Sequence, residues 1–145
     1  MCGICGELRH DGQTGRHDII ERMLPKLARR GPDFEGQWQN GPLALGHRRL
    51  AIIDLSERAN QPMVDQELGL MLVFNGSIYN YRELRADLIK EGYHFFSEGD
   101  SEVIIKAYHK WGERCPEYLH GMFAFAIWDT RTESLFLARD RMGIK

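Results

Sequence analysis

The chain has 145 residues, the length of one domain, and a chain of this size can bury a sizeable core without disulfide bonds. Its 19 basic and 21 acidic residues nearly cancel, which argues against binding to nucleic acid or to an anionic membrane surface. We expect no signal peptide and no membrane span. Three cysteines, an odd number, indicate a reducing compartment, so we expect a cytoplasmic protein.

Strands and helices are predicted to mix without regular alternation, which is typical of an α+β fold. Alternation of apolar and polar residues predicts a strand that starts close to residue 2. Apolar residues at helical spacing predict a helix over 18–30 that contains Pro25. Short strands are predicted at 43–47 and 50–53. The apolar run at 70–74 predicts a strand buried on both faces.

The second half of the chain predicts two helices and a hairpin. Asn80 and Glu83 form a capping-box pattern that opens one helix, and Asp100 or Ser101 is expected to cap the next. Apolar runs at 122–128 and 135–138 predict a buried hairpin. No stop signal precedes residue 145, so we expect the natural protein to continue and this chain to be its N-terminal segment.

Cys2 follows the initiator methionine and is a candidate nucleophile. Removal of Met1 would give Cys2 a free α-amino group, whose pKa of about 7.7–8.0 lets the neutral form take the thiol proton. One residue would then carry both nucleophile and base, without a separate histidine. On position alone, an ordinary small apolar residue at a chain start is the simpler interpretation.

Residues 2–5 also form a Cys-x-x-Cys pattern, which occurs in redox and zinc modules. A redox motif would have a strand before it and a helix after it, whereas here a strand is predicted to follow. A zinc site would need a second pair of ligands at close spacing, which Cys115, His10 and His17 do not provide. We expect no metal ligands and keep this module as the weaker alternative.

Six further segments follow Met-Cys-Gly in order. They are Arg-Gly-Pro-Asp at 30–33, His-Arg-Arg-Leu-Ala-Ile-Ile-Asp at 47–54, Asn-Gln-Pro-Met at 60–63, Asn-Gly-Ser-Ile-Tyr-Asn at 75–80, Gly-Asp-Ser-Glu-Val at 99–103 and Gly-Met-Phe-Ala-Phe-Ala at 121–126. Together they resemble the glutaminase domain of the asparagine synthetase family, a class II glutamine amidotransferase. The resemblance covers residues 1–145. Gly-His-Arg-Arg-Leu, Ser-Glu-Arg-Ala and the Asn-Gly-Ser variant are similar to the N-acetylglutaminylglutamine amidotransferase branch, which amidates a dipeptide.

The resemblance implies an N-terminal-nucleophile fold, a four-layer α/β/β/α sandwich of antiparallel sheets, with its last strands expected beyond residue 145. It implies hydrolysis of the glutamine side-chain amide, with the ammonia passed to a C-terminal synthetase domain that this chain lacks. No cofactor is expected here. ATP and Mg²⁺ would belong to the synthetase domain, and the chain has no G-x-x-x-x-G-K-[ST] phosphate loop. The resemblance also allows a homodimer.

The resemblance assigns roles to five residues. Cys2 would attack the amide carbonyl, and the Asn75 side chain and Gly76 N–H would donate to the oxyanion. Asn-Gly after a buried strand also predicts a turn that exposes donors, although such pairs are commonly plain turns. Arg49 would bind the substrate carboxylate, and Asp100 the substrate ammonium, with a helix cap as its other role. The Arg-Gly-Pro-Asp and Gln-Pro segments are expected to shape loops without chemistry.

Ser77 stands where the family commonly carries Glu, which helps to hold the substrate ammonium. Loss of one hydrogen bond to a charged group costs about 1.5–3 kcal/mol, or one to two decades in affinity. We therefore expect a raised KM for glutamine, with the nucleophile and oxyanion roles untouched. The departure also keeps open a second hypothesis, a weak or degenerate domain that binds without turnover.

Overall fold

Two antiparallel sheets form the centre of the computed structural model, which describes residues 1–145. The strands are β1 (Gly3–Leu8), β2 (Phe34–Asn40), β3 (Leu43–Arg49), β4 (Met63–Asp65), β5 (Leu70–Ile78), β6 (Gly121–Asp129) and β7 (Ser134–Arg139). The first sheet has the strand order β1–β3–β2, and the second has the order β4–β5–β6–β7. The helices are α1 (His17–Met23), α2 (Tyr81–Lys90) and α3 (Asp100–Trp111), with short 3₁₀ turns at Leu24–Leu27, Glu57–Ala59 and Gly112–Glu117. None of these helices has both the length and the apolar character to cross a bilayer.

The two sheets bury an apolar layer between them. Its buried members are Leu43, Leu45, Met71, Val73, Ala126 and Trp128. Successive side chains of a strand point to opposite faces, so Leu43 and Leu45 face the second sheet while Ala44 faces α1. The alternation within β3 therefore builds two layers of the core at once.

The helices cover the outer faces of the sheets. α1 and the turn after it pack on the first sheet through Ile20 and Leu24, which contact Ala44. α3 packs on the second sheet through Ile104, in one cluster with Leu72. The architecture is the predicted α+β sandwich of four layers, and the strand prediction for 70–74 is confirmed, since all five of these residues are buried.

Three local predictions differ from the structure. The helix predicted over 18–30 ends at Met23 and gives way to a 3₁₀ turn, because Pro25 lacks an N–H and is tolerated only near a helix start. The segment 50–53 is a loop, since β3 takes the chain only as far as Arg49. The strand predicted at 70–74 continues to Ile78, because β6 pairs with it along its whole length.

Neither predicted side-chain cap forms. Asn80 precedes α2, but its amide donates to the Tyr118 carbonyl over 3.0 Å and accepts from the His120 N–H over 3.0 Å. Asp100 is the first residue of α3, and its carboxylate accepts from the Ile78 N–H. Both side chains bond to backbone groups that are distant in the sequence: the segment before β6 for Asn80 and the end of β5 for Asp100.

A buried imidazole joins the two sheets. His47 in β3 is fully buried, and its Nε2 lies 3.1 Å from the Phe74 carbonyl oxygen in β5. Burial lowers the pKa of His47 to about 4, aided by the charge of Arg49 and opposed by the bond to Phe74. The ring is therefore neutral at physiological pH, and Nε2–H donates to the carbonyl.

The packing of α3 on the second sheet gives a stability prediction. Leu72 is completely buried, so Leu72→Ala should lower the free energy of unfolding by about 2–5 kcal/mol, because the cavity cannot fully collapse. Leu137 lies on the same sheet but is 67% exposed, and Leu137→Ala should cost less than about 0.5 kcal/mol. Urea unfolding of both variants checks this; equal losses would contradict the layer assignment.

Candidate functional site

A cavity of about 250 Å³ opens where the chain start, the end of β3, the C-terminal part of β5 and the start of α3 meet. Drug-sized ligands occupy sites of roughly 300–1,000 Å³, so this cavity suits a smaller molecule. All six residues singled out from the sequence line it: Cys2, Arg49, Asn75, Gly76, Ser77 and Asp100. Through these six residues the fold gathers a thiol, a guanidinium group, a carboxyl group and a side-chain amide around a small space, which Gln61 and Lys145 also line.

Cys2 is held through its sulfur atom and through its carbonyl oxygen. The Leu50 N–H donates to its sulfur over 3.4 Å, and the sulfur lies 3.8 Å from the Leu50 carbonyl oxygen. Arg30 Nε donates to the Cys2 carbonyl over 3.1 Å. Because Gly3 pairs with Arg48 in the β1–β3 ladder, the residue before Gly3 falls beside the end of β3. The thiol is therefore placed at the cavity wall by strand register.

Cys5, the second cysteine of the Cys-x-x-Cys pattern, lies outside the cavity. It packs against Ile20 and Leu24 beneath α1, and burial raises the pKa of its thiol. A raised pKa disfavours the thiolate that redox and metal chemistry require. Nowhere does the structure bring together three or more His, Cys, Asp or Glu side chains able to hold a metal ion. The two thiols do not form one site.

Asn75 places a free polar atom at the cavity. Its Oδ1 is buried and has no hydrogen-bond partner. Native proteins satisfy most buried polar side-chain atoms, so each exception calls for an explanation, and a binding role is one. Oδ1 is an acceptor and suits a donor group of a ligand, whereas Nδ2 is the atom of the same amide that could donate to an oxyanion.

Gly76 follows Asn75 within β5, and the predicted turn at this pair is wrong. The two residues pair with Phe123 and Ala124 in the β5–β6 ladder. A Cβ on Gly76 would lie 2.1 Å from the Met122 carbonyl oxygen and 2.8 Å from the Phe123 Cα. Glycine is therefore required by the close approach of β6, and not by a reversal of the chain.

Arg49 presents one edge of its guanidinium to the cavity. The side chain is 6% exposed. Nη1 donates to the Ser56 carbonyl over 2.9 Å and to Asn60 Oδ1 over 2.7 Å, and Nη2 donates to the Asp54 carbonyl. Of the five N–H donors, Nε–H and one N–H of Nη2 have no protein acceptor. The Nε–Nη2 side of the guanidinium, called the free edge below, is the side on which a carboxylate can pair in bidentate fashion.

Asp100 supplies a buried carboxyl group opposite in charge to Arg49. Its Oδ2 accepts from the Ile78 N–H over 2.9 Å. Burial raises the pKa of Asp100, and this effect outweighs the backbone N–H groups of Ile78, Asp100 and Ser101, which lower it. No cationic side chain offsets the cost of its charge. A cationic ligand group beside Asp100 would therefore be stabilised.

Ser77 lines the same wall as Asn75 and Gly76, and it is half-buried. It pairs with Met122 in the β5–β6 ladder. Its short hydroxyl side chain leaves Asp100 as the one carboxyl group among the residues of the cavity. The raised KM for glutamine expected from Ser77 stays a prediction.

Gln61 is the residue that the sequence reasoning undervalued. It is 5% exposed, its Oε1 accepts from the Phe74 N–H over 2.6 Å, and its Nε2 donates to Ser101 Oγ over 3.2 Å. It thereby ties β5, next to Asn75, to α3, next to Asp100. The Gln-Pro pair predicts only a loop. No local pattern in the sequence indicates that Gln61 bonds to Phe74 and Ser101, which lie 13 and 40 residues away.

The Arg-Gly-Pro-Asp segment supports the end of β3, in line with its expected loop role. Asp33 accepts from the Ala51 N–H over 2.8 Å and donates its own N–H to the Arg49 carbonyl over 3.0 Å. A Cβ on Gly31 would lie 2.3 Å from the Arg48 carbonyl group. The 30–33 segment thus fixes the backbone on both sides of Arg49 through hydrogen bonds and close packing.

Comparison with known proteins places the chain in a family. A family model described as a glutamine amidotransferase domain matches residues 1–145. Asparagine synthetase [glutamine-hydrolyzing] 3 of Bacillus subtilis is 38% identical over 148 residues, covering 100% of this chain and 24% of that protein. Amidase chry2 of Gibberella zeae is 38% identical over 157 residues, with 100% and 23% covered. The chain spans about a quarter of the length of these curated relatives.

Solved structures show the same fold. Glutamine phosphoribosylpyrophosphate amidotransferase from B. subtilis, complexed with ADP and GMP, gives a TM-score of 0.57 at 25% identity, over 70% of this chain and 24% of that chain. A structure described as the allosteric regulatory enzyme of purine biosynthesis gives a TM-score of 0.59 at 23% identity, over 99% of this chain and 32% of that chain. The second likeness bears on the fold alone. Both support the predicted N-terminal-nucleophile fold.

The buried Asp100 gives a pH prediction. Its pKa is higher in the folded chain than in the unfolded chain, so its ionisation costs stability as pH rises through the acid range. Asp100→Asn keeps an oxygen for the Ile78 N–H and never ionises, so the variant should be more stable than the wild type at pH 7, with the difference vanishing below about pH 4. Thermal unfolding across pH checks this. A difference that grows on acidification would contradict it.

Proposed function

Because this chain belongs to the glutamine amidotransferase domain family, we propose that it hydrolyses the side-chain amide of glutamine, with Cys2 as the nucleophile, and releases ammonia. The observation that carries the proposal is the composition of the cavity. A thiol, the Asn75 side-chain amide, a guanidinium edge and a buried carboxyl group surround one small space. These are the complements of the four polar features of free glutamine and of its tetrahedral intermediate.

Binding begins with the two charged groups of the substrate. The free edge of Arg49 donates two hydrogen bonds to the α-carboxylate, and the Asp100 carboxylate accepts from the α-ammonium group. Two opposite charges at fixed positions orient the amino acid, so its side chain extends toward Cys2. The burial of both protein groups strengthens these contacts, because little water competes with the ligand.

Attack requires the thiol to lose its proton. After removal of Met1, the α-amino nitrogen of Cys2 takes that proton, directly or through one water. While Met1 is attached, this nitrogen is part of a peptide bond and cannot serve as the base. The sulfur then bonds to the side-chain carbonyl carbon of glutamine.

The tetrahedral intermediate places negative charge on the former carbonyl oxygen. The Asn75 side-chain amide and the Gly76 N–H donate to this oxygen, and β5 holds them as neighbours on one strand. The C–N bond breaks, the nitrogen takes a proton and leaves as ammonia, and a thioester with Cys2 remains. Water hydrolyses the thioester and releases glutamate with the thiol restored.

The ammonia has a use outside this domain. The matched relatives are about four times longer than this chain, and two of the names are glutamine-hydrolysing asparagine synthetases of Bacillus subtilis. We propose that the ammonia passes to a synthetase domain of the same protein, which carries the ATP and Mg²⁺ chemistry. The dipeptide acceptor suggested by the sequence stays a prediction.

Ser77 favours a second candidate function, a domain that binds glutamine weakly without turning it over. The cavity then keeps its charge pattern but acts as a sensor or a structural partner. This candidate predicts no glutamate release and no thioester on Cys2 even at high glutamine concentration. The hydrolase proposal predicts both, with a raised KM.

The nucleophile is tested by two matched substitutions. Cys2→Ala should abolish glutamate release from glutamine, because no other thiol reaches the substrate. Cys5→Ala should retain activity within about twofold, since Cys5 packs beneath α1 outside the cavity. Coupled detection of glutamate measures both. Equal loss in the two variants would favour the Cys-x-x-Cys module, and activity in Cys2→Ala would refute the proposed nucleophile.

The oxyanion role makes a separate prediction for Asn75. Asn75→Ala should lower kcat by about 10²–10³-fold with a small change in KM, because the lost donor acts mainly on the transition state. Steady-state kinetics at saturating glutamine measure the effect. A raised KM with normal kcat would instead place Asn75 in ground-state binding.

A further inference from the structure

Asp54 adopts a backbone conformation that L-residues rarely take. Its φ is +52°, in the left-handed region, and it is one of two non-glycine residues with positive φ. Such a conformation costs free energy and persists where the surrounding contacts over-determine it. Asp54 lies five residues after Arg49, in the loop that follows β3.

The carboxylate of Asp54 makes the contacts that hold this conformation. Its Oδ1 accepts from the Ser56 N–H over 3.0 Å and from the Ser56 hydroxyl over 2.6 Å. Its Oδ2 accepts from the Glu98 N–H over 2.7 Å. Burial alone would raise the pKa of Asp54, but these bonds and the charge of Arg49 lower it, so the group stays ionised.

The loop that supplies the Glu98 N–H is itself anchored from α3. Glu102 is fully buried, and it accepts from the Ser97 N–H and the Ser97 hydroxyl, each over 2.7 Å. Arg85 Nη1 donates to the Ser97 carbonyl over 2.6 Å. Asp54 is therefore fastened to a fixed part of the second half of the chain.

Arg49 Nη2 donates to the Asp54 carbonyl, and Arg49 Nη1 donates to the Ser56 carbonyl. The Asp54 carboxylate also bonds to Ser56. Asp54 and Ser56 are therefore fixed to each other, and both of their carbonyls hold the guanidinium. With these donors occupied, the edge left free on Arg49 has one orientation. A change in the conformation of Asp54 would rotate this edge.

We propose that Asp54 is a positioning residue that sets the free edge of Arg49, so that the preference of the site for a free α-carboxylate depends on Asp54. The inference rests on the proposed function, from which the contact between Arg49 and the carboxylate is taken. Asp54 does not touch the substrate; its effect passes through Arg49. A substrate without the carboxylate cannot form this bidentate pair with Arg49, so its binding should not depend on the orientation of the edge.

The test compares L-glutamine with L-glutamine α-amide, which keeps the ammonium and the side-chain amide but lacks the carboxylate. Asp54→Ala should raise the KM for glutamine by about tenfold with kcat within about threefold, as expected for one misaligned charge-assisted pair. Conversion of the α-amide to isoglutamine should change by less than about twofold. Asp54→Asn, which tolerates positive φ and keeps one acceptor for Ser56, should recover part of the loss.

Glu57→Ala is the matched control, because Glu57 is exposed in the same loop and its side chain makes no ion pair. Its kinetics should equal those of the wild type. A general disruption of the loop would reduce both substrates equally. If Asp54→Ala leaves the ratio of kcat/KM values for the two substrates within twofold of the wild type, the inference is overturned.

Calorimetric binding of both ligands to Cys2→Ala and to the Cys2→Ala, Asp54→Ala double variant separates this inference from the proposed hydrolysis. Loss of selectivity in the double variant supports the role of Asp54 even if the wild type never releases glutamate. Unchanged selectivity in the double variant, or an absence of selectivity in Cys2→Ala, overturns it even if hydrolysis is observed.

Discussion

The candidate site depends on a hydrogen bond that crosses the sandwich. His47 donates from Nε2 to the Phe74 carbonyl over 3.1 Å, and it lies two residues before Arg49, while Phe74 lies directly before Asn75. This bond holds the end of one sheet against the other at the place where the cation and the amide emerge. It works because the ring is neutral: burial lowers the pKa of His47 to about 4. A charged imidazolium would carry an uncompensated buried charge beside Arg49.

Other contacts between distant parts of the chain complete the same frame. Gln61 links β5 to the start of α3, and Arg30 holds the carbonyl of Cys2. Each uses a polar side chain to fix the backbone next to a residue of the cavity. The charged groups are therefore in place before a ligand arrives, and little binding energy is spent on ordering them. The conformation of Asp54 extends this principle to the direction in which Arg49 points.

Much of the fold could be predicted because the patterns that encode it are local. The apolar run at 70–74 and the hairpin runs at 122–128 and 135–138 formed strands, since burial dictates their composition. The turn predicted at the Asn-Gly pair and the cap predicted at Asn80 are wrong, because distant partners override their local preferences. β6 extends the strand through Gly76, and the Asn80 amide bonds to the Tyr118 carbonyl and the His120 N–H.

The candidate site was predicted from an ordered set of motifs, and the structure brings those residues to one cavity. The roles of Asp54 and Gln61 could not be predicted, for a physical reason. Gln61 bonds to groups 13 and 40 residues away, and Asp54, besides its local bonds to Ser56 and Arg49, accepts from an N–H 44 residues away. A sequence carries no local sign of such distant partners. Residues that line the cavity are thus easier to predict from a sequence than residues that position them.

The most direct measurement of the central claim is covalent capture of the first residue by an electrophilic glutamine analogue. After treatment with 6-diazo-5-oxo-norleucine, peptide mass mapping should find one adduct, on the sulfur of a chain that begins at Cys2, and free glutamine should prevent it. Cys5 and Cys115 should stay unmodified. An active protein that retains Met1, or one whose Cys2 remains unlabelled, would contradict the account.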